Sequence, residues 1–212
     1  MLHRHLTHEV YTLAAIDDLI DRGQWADWLA LRRAALDDPA VLAKVQKISL
    51  AHADNPYAQR HAFWRRFAHR YGAGPDIADP IIQRPAYMAG QLDGIDTGIR
   101  DATRTAPIEP SEAENLRVIS IHILMGNAAQ DYRDFVSSVA RLGQAATAQA
   151  LISMDAIYPQ STGQSALQQL MVQLASPLPY DLDDQEDMEW YVVKAACIDA
   201  ALSIFDRLND AA

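Results

Sequence analysis

Apolar residues recur along this chain at three- and four-residue intervals, the period of amphipathic helices, and no stretch alternates with the two-residue period of a half-buried strand. The spacing predicts a first helix from Thr7 or His8 to Arg22, closed by Gly23, and a second over QWADWLALRRAAL (24–36). Asp38-Pro39 then reads as an N-cap followed by proline at the first helical position, opening PAVLAKVQKISLAHA. Asn55-Pro56 repeats that start signal for PYAQRHAFWRRFAHRY, which Gly72 ends. Later helices are expected over SEAENLRVISIHILMG, with Ser111 and Glu114 as a capping box, and over AAQDYRDFVSSVARLG, AATAQALISMDAIY and GQSALQQLMVQLA. The last runs from about Asp184 to Leu208, apolar over so much of its circumference that it belongs at the centre of a bundle. The expected fold class is therefore all-α: nine or ten short antiparallel helices in a helical bundle or short α-solenoid, with a long buried C-terminal helix.

Residues 72–84 (GAGPDIADPIIQR) read as a loop between an N-terminal four-helix segment, 1–72, and a C-terminal bundle, 85–212, the two expected to form one compact unit. Just beyond that loop, Ala86, Gly90, Gly94, Gly98 and Ala102 recur every four residues. On a helix they would make a smooth ridge suited to close packing, to a second subunit or to a ligand groove.

Charge sharpens this division. Net charge is −10 overall, but residues 1–75 carry +2 and six of the seven histidines, whereas residues 76–212 carry −12. An acidic total disfavours nucleic acid as the main ligand, because phosphate repulsion is long-ranged. With 50% hydrophobic residues and one cysteine, the chain is neither disordered nor a disulfide framework, and it lacks CxxC-type metal or redox sites. No signal-peptide or membrane-spanning stretch is evident, so a cytoplasmic location is expected, and the Arg and Ala bias points to a bacterial source.

Several side-chain groups carry candidate chemistry. Asp17-Asp18-Leu19-Ile20-Asp21 and Asp183-Asp184-Gln185-Glu186-Asp187 are both DDxxD strings, which resemble the paired Mg²⁺-binding motifs of all-α isoprenoid synthases. The chain is short for that fold, the first string lies close to the N-terminus, and the basic residues such enzymes aim at a diphosphate are missing. His3, His5 and His8 cluster beside Glu9 without the spacing of a known metal motif, and His52, His61 and His69 share no consistent spacing. No metal or cofactor is expected. Arg117 and His122, in RVISIH, have the spacing of the motif of HEPN-type helical ribonucleases. That resemblance implies metal-independent RNA cleavage, with Arg117 on phosphate and His122 moving a proton; Val118 departs from the polar residue usual after the arginine.

The charged surface gives the leading expectation: a non-enzymatic protein-binding factor of adaptor, chaperone or immunity type. Its candidate contacts are Arg65, Arg66 and Arg70 on a basic helix and Asp181, Asp183, Asp184, Glu186 and Asp187 in an acidic loop. The partner is another protein, basic for preference, or a second copy of the chain.

Overall fold

The computed structural model describes residues 10–55, 57–72, 109–126, 129–158, 165–175 and 188–210, and these are all-α, with helices packed on helices and no strand. The chain divides into two compact units, Met1–Gly74 and Pro75–Ala212. No helix among the described residues is long and apolar enough to cross a membrane.

The N-terminal unit contains α1 (Leu13–Arg22), α2 (Trp25–Asp37), α3 (Pro39–Ala51) and α4 (Gln59–Tyr71). Helix α1 begins later than the periodicity suggested, because Thr12 caps it by accepting from the Ala15 N–H at 3.2 Å. Asp38 caps α3 as expected, accepting from Ala40 N at 2.8 Å ahead of Pro39. Asn55 takes a different role. Its side chain accepts from Tyr57 N at 3.0 Å, an Asx-type turn that delays α4 until Gln59. Helix α3 packs against α1, α2 and α4, and α1 also touches α2 and α4.

Ile16 and Ile20 from α1, Trp28 and Leu31 from α2, Val45 from α3, and Phe63, Trp64 and Phe67 from α4 are fully buried between these helices. The aromatic rings interlock. Trp28 stacks on Phe63 at 5.0 Å between centroids and meets Trp64 edge-on at 5.4 Å. Trp28 Nε1 donates to Leu19 O at 3.1 Å, so its one polar atom is satisfied inside the core. The same carbonyl accepts from Gly23 N at 3.0 Å. Gly23 is in an extended conformation, φ −60°, and not in the left-handed form of a usual glycine stop. Glycine is needed there because a β-carbon would collide with the Leu19 carbonyl. Arg60 closes the end of α1, its Nη1 donating to Asp21 O at 2.5 Å, while its guanidinium lies 5.2 Å over the Trp28 ring.

The C-terminal unit contains α5 (Pro110–Leu124), α6 (Ala129–Leu142), α7 (Gln144–Leu151), the single turn α8 (Met154–Ile157), α9 (Ala166–Ala175) and α10 (Met188–Asp210). Pro110 takes the first position of α5, with Glu109 preceding it, so Ser111 lies inside the helix rather than capping it. Between α6 and α7 the chain turns at buried Gly143, whose φ of 80° excludes most side chains. The long segment expected after it breaks at Ile152-Ser153 into α7 and α8. Helix α10 packs against α6, α7 and α9, with Cys197, Ala200, Ala201, Ile204 and Phe205 buried. Their spacing of three and four residues is what places this helix centrally. Phe135, Val139 and Leu142 of α6 and Leu170, Met171 and Leu174 of α9 are buried in the same unit.

Candidate functional site

The most concentrated polar arrangement among the described residues lies in the N-terminal unit and joins three helices. Ile16 and Ile20 turn into the core, and Asp17, next to Ile16, is carried to the edge of that buried face. Helix α3 ends at Ala51, leaving His52 as its C-cap, and α4 returns with His61 in its first turn. The short connection between α3 and α4 thus brings two histidines, nine residues apart, onto one carboxylate.

Asp17 Oδ1 lies 3.2 Å from His52 Nε2 and 3.0 Å from His61 Nε2. The two imidazoles stack with centroids 3.8 Å apart and planes inclined by 28°. With both rings neutral and protonated on Nε2, each donates to the same oxygen. The His61 side chain is only 5% exposed, whereas those of His52 and Asp17 are 37% and 45% exposed. Burial pushes the His61 pKa below its ordinary value, outweighing the hydrogen bond it makes to Asp17, and His52 adds repulsion in the same direction. Desolvation acts to raise the Asp17 carboxyl, but the hydrogen bonds and charges of His61 and then His52 together prevail and hold it below the usual carboxylate range. At neutral pH the cluster is a carboxylate facing a neutral, buried His61.

The three ligating atoms all lie within 4.8 Å of one another, which makes this the set able to hold a metal ion among the described residues. They border an open cavity of about 380 Å³ that Asp18, Asp21, Arg22, Asn55 and Tyr57 also line. Asp18 is engaged in an ion pair with Arg22 one turn along α1.

The residues singled out in the sequence fare differently. Arg66 is buried, against its expected place on the surface, because α4 turns Phe63, Trp64, Arg66 and Phe67 all inward. Arg65 is half-buried and Arg70 exposed, so the three arginines do not form one exposed patch. Arg117 donates to Glu114 Oε2 at 2.8 Å and, more weakly, to Ala150 O at 3.4 Å. His122, half exposed, lies with Nδ1 3.3 Å from Asp131 Oδ1. Each member of the Arg117–His122 pair is therefore engaged with a different carboxylate. His3, His5 and His8, the Gly90–Gly94–Gly98 ridge, and Asp181, Asp183, Asp184, Glu186 and Asp187 lie outside the described residues.

Sequence spacing missed the Asp17–His52–His61 cluster because its members are 35 and 44 residues apart from the carboxylate. The available signal was the hairpin: a histidine at the end of one helix and another at the start of the next must lie near each other when the connection is this short. Comparison with protein-family models, with curated proteins and with solved structures gives no match to this chain.

Proposed function

We propose that the chain is a non-enzymatic, bacterial, cytoplasmic factor of adaptor, chaperone or immunity type that binds another protein through its acidic C-terminal unit. The observation that carries this reading is a group of large apolar side chains at the surface of that unit: Val118, Met125, Ile152 and Ile157 are all exposed, Met125 by 61%. Val118 adjoins Arg117, whose guanidinium reaches Ala150 O, two residues before Ile152. That contact ties the part of α5 bearing Val118 to the end of α7 bearing Ile152. A contiguous apolar patch rimmed by polar residues marks an interaction surface, whereas apolar side chains exposed singly are ordinary, so the reading requires these residues to share one face. The −12 charge of residues 76–212 selects a basic partner segment with an apolar face of its own. The one cysteine is a free, buried thiol, in keeping with a reducing compartment, and the Arg and Ala bias supports a bacterial source.

The test compares the full chain with a Val118→Ser, Ile152→Ser variant as bait in an extract of the native host. The reading expects one protein retained by the wild type, released by raised salt, and lost from the variant. Equal retention by both chains overturns it, as does sedimentation showing that the surface is occupied by a second copy. The alternative, a metal-independent ribonuclease of the HEPN kind using Arg117 and His122, draws on the Asp131 carboxylate at His122 Nδ1, which would orient the ring for proton transfer. It requires that His122→Ala abolish RNA cleavage without loss of helicity; unchanged cleavage refutes it.

A further inference from the structure

We propose that Asp17, His52 and His61 form a binding site for a divalent transition-metal ion, of which Zn²⁺ is the type, joining α1 to the α3–α4 hairpin. This site is separate from the surface proposed for protein binding and stands on its own geometry.

Three features carry it. The first is the match between donor spacing and a coordination polyhedron. Ligand atoms about 2.0–2.1 Å from a tetrahedral zinc are roughly 3.3 Å from each other. Here the carboxylate oxygen already stands 3.0 and 3.2 Å from the two Nε2 atoms, so a modest opening of the cluster admits the ion between them. The second is convergence. Both Nε2 atoms stand within hydrogen-bond reach of one carboxylate oxygen, brought there by the α3–α4 hairpin packing against α1, and the stacked rings need to splay for both lone pairs to meet one ion. Hydrogen-bonding histidines have no need to share a target. The third is access: three protein donors leave further coordination positions, and the cluster borders an open cavity from which water or a small ligand can fill them. A set of two imidazole nitrogens and one carboxylate oxygen suits zinc, cobalt, nickel or ferrous iron and not magnesium or calcium, which take oxygen ligands.

Binding requires the other tautomer: each neutral imidazole moves its proton from Nε2 to Nδ1 by exchange with solvent, which frees the Nε2 lone pair for the ion with no net release of protons. Asp21, lining the same cavity, adds negative charge that favours the cation, while the charge of Asp18 is offset by its ion pair with Arg22.

The experiment is titration of the chelator-treated full chain with Zn²⁺ by calorimetry, and with Co²⁺ followed by its visible absorption bands. The expected result is one ion per chain with nitrogen–oxygen ligation. Affinity should fall at least about 100-fold in His61→Ala, His52→Ala and Asp17→Asn, since even loss of a residue that merely supports a ligand costs 10–100-fold. His52 is the safer variant because it is partly exposed at a helix end and its loss opens no core cavity. His122→Ala should bind as the wild type does. The proposal is overturned if the wild type takes up neither ion at micromolar concentration. It is equally overturned if replacing His3, His5 and His8 together abolishes uptake while His52→Ala leaves it intact.

Discussion

Replacing Trp28 with Phe removes the indole N–H and part of the ring while keeping an aromatic face against Phe63. The Leu19 carbonyl that accepts from Trp28 at 3.1 Å also accepts from Gly23 N, so the variant leaves no acceptor stranded. The lost hydrogen bond is then worth its ordinary net value, about 0.5–1.5 kcal/mol. Trp28 is fully buried, so the smaller ring leaves a gap of roughly 40 Å³, which at about 24 cal/mol per Å³ costs a further ~1 kcal/mol. The Arg60 guanidinium 5.2 Å over the ring loses a few tenths of a kcal/mol on exchanging Trp for Phe. Together these give about 2 kcal/mol, set against the roughly 4–11 kcal/mol that a unit the size of Met1–Gly74 commands. The variant should fold, with its melting point lowered by about 8–16 °C. Three of the four tryptophans, Trp25, Trp28 and Trp64, lie in this unit, so thermal melts of the full chain followed by tryptophan fluorescence report on it. A fall of less than about 3 °C would refute the reasoning, showing that the interlocked rings contribute little to its stability.

Gly23→Ala should destabilise the same unit by about 1–3 kcal/mol, the usual cost of forcing extra atoms into a closed site; a neutral or stabilising result in urea unfolding would show that the α1–α2 turn can relax. Asp38→Ala removes the cap on α3 and should cost about 1 kcal/mol, read from the denaturation midpoint, with Asp38→Asn largely restoring it. Burial pushes the Cys197 thiol far above its ordinary range, so the folded protein should not react with a thiol reagent at pH 8 and should react stoichiometrically in denaturant. Prompt labelling of the native chain would contradict the central place of α10. Phe135→Ala in α6, emptying a fully buried site, should cost about 3–5 kcal/mol in the C-terminal unit; a loss below 1 kcal/mol by circular dichroism would contradict the packing.

The helical class and most helix starts were legible because they depend on local signals. Asp38-Pro39 is a cap followed by a residue already fixed in helical φ, and both roles are filled as read. Asn55-Pro56 looks the same in sequence but serves the turn, since an Asx side chain caps a turn as readily as a helix. The burial of α10 was legible in its unbroken apolar spacing. On α4, by contrast, aromatic character alone does not tell which rings are inside: Tyr57 precedes the helix and is 84% exposed, while Phe63 is fully buried. The Asp17–His52–His61 cluster was not legible because it depends on how three helices pack, and the DDxxD string containing Asp17 drew attention to its acidic neighbours along α1 instead of to residues across the fold.

The shared acceptor at Leu19 bears on how this protein can change over evolutionary time. One carbonyl holds the backbone of Gly23 and the ring of Trp28, and only Gly23 and Gln24 separate α1 from α2. Side chains around that turn can drift while both bonds persist. An added or deleted residue between Arg22 and Trp25 would shift α2 relative to α1 and carry the indole away from its acceptor. The α1–α2 connection therefore fixes both its length and a glycine at position 23, and homologues of this unit should differ there by substitution at Gln24 and not by insertion or deletion.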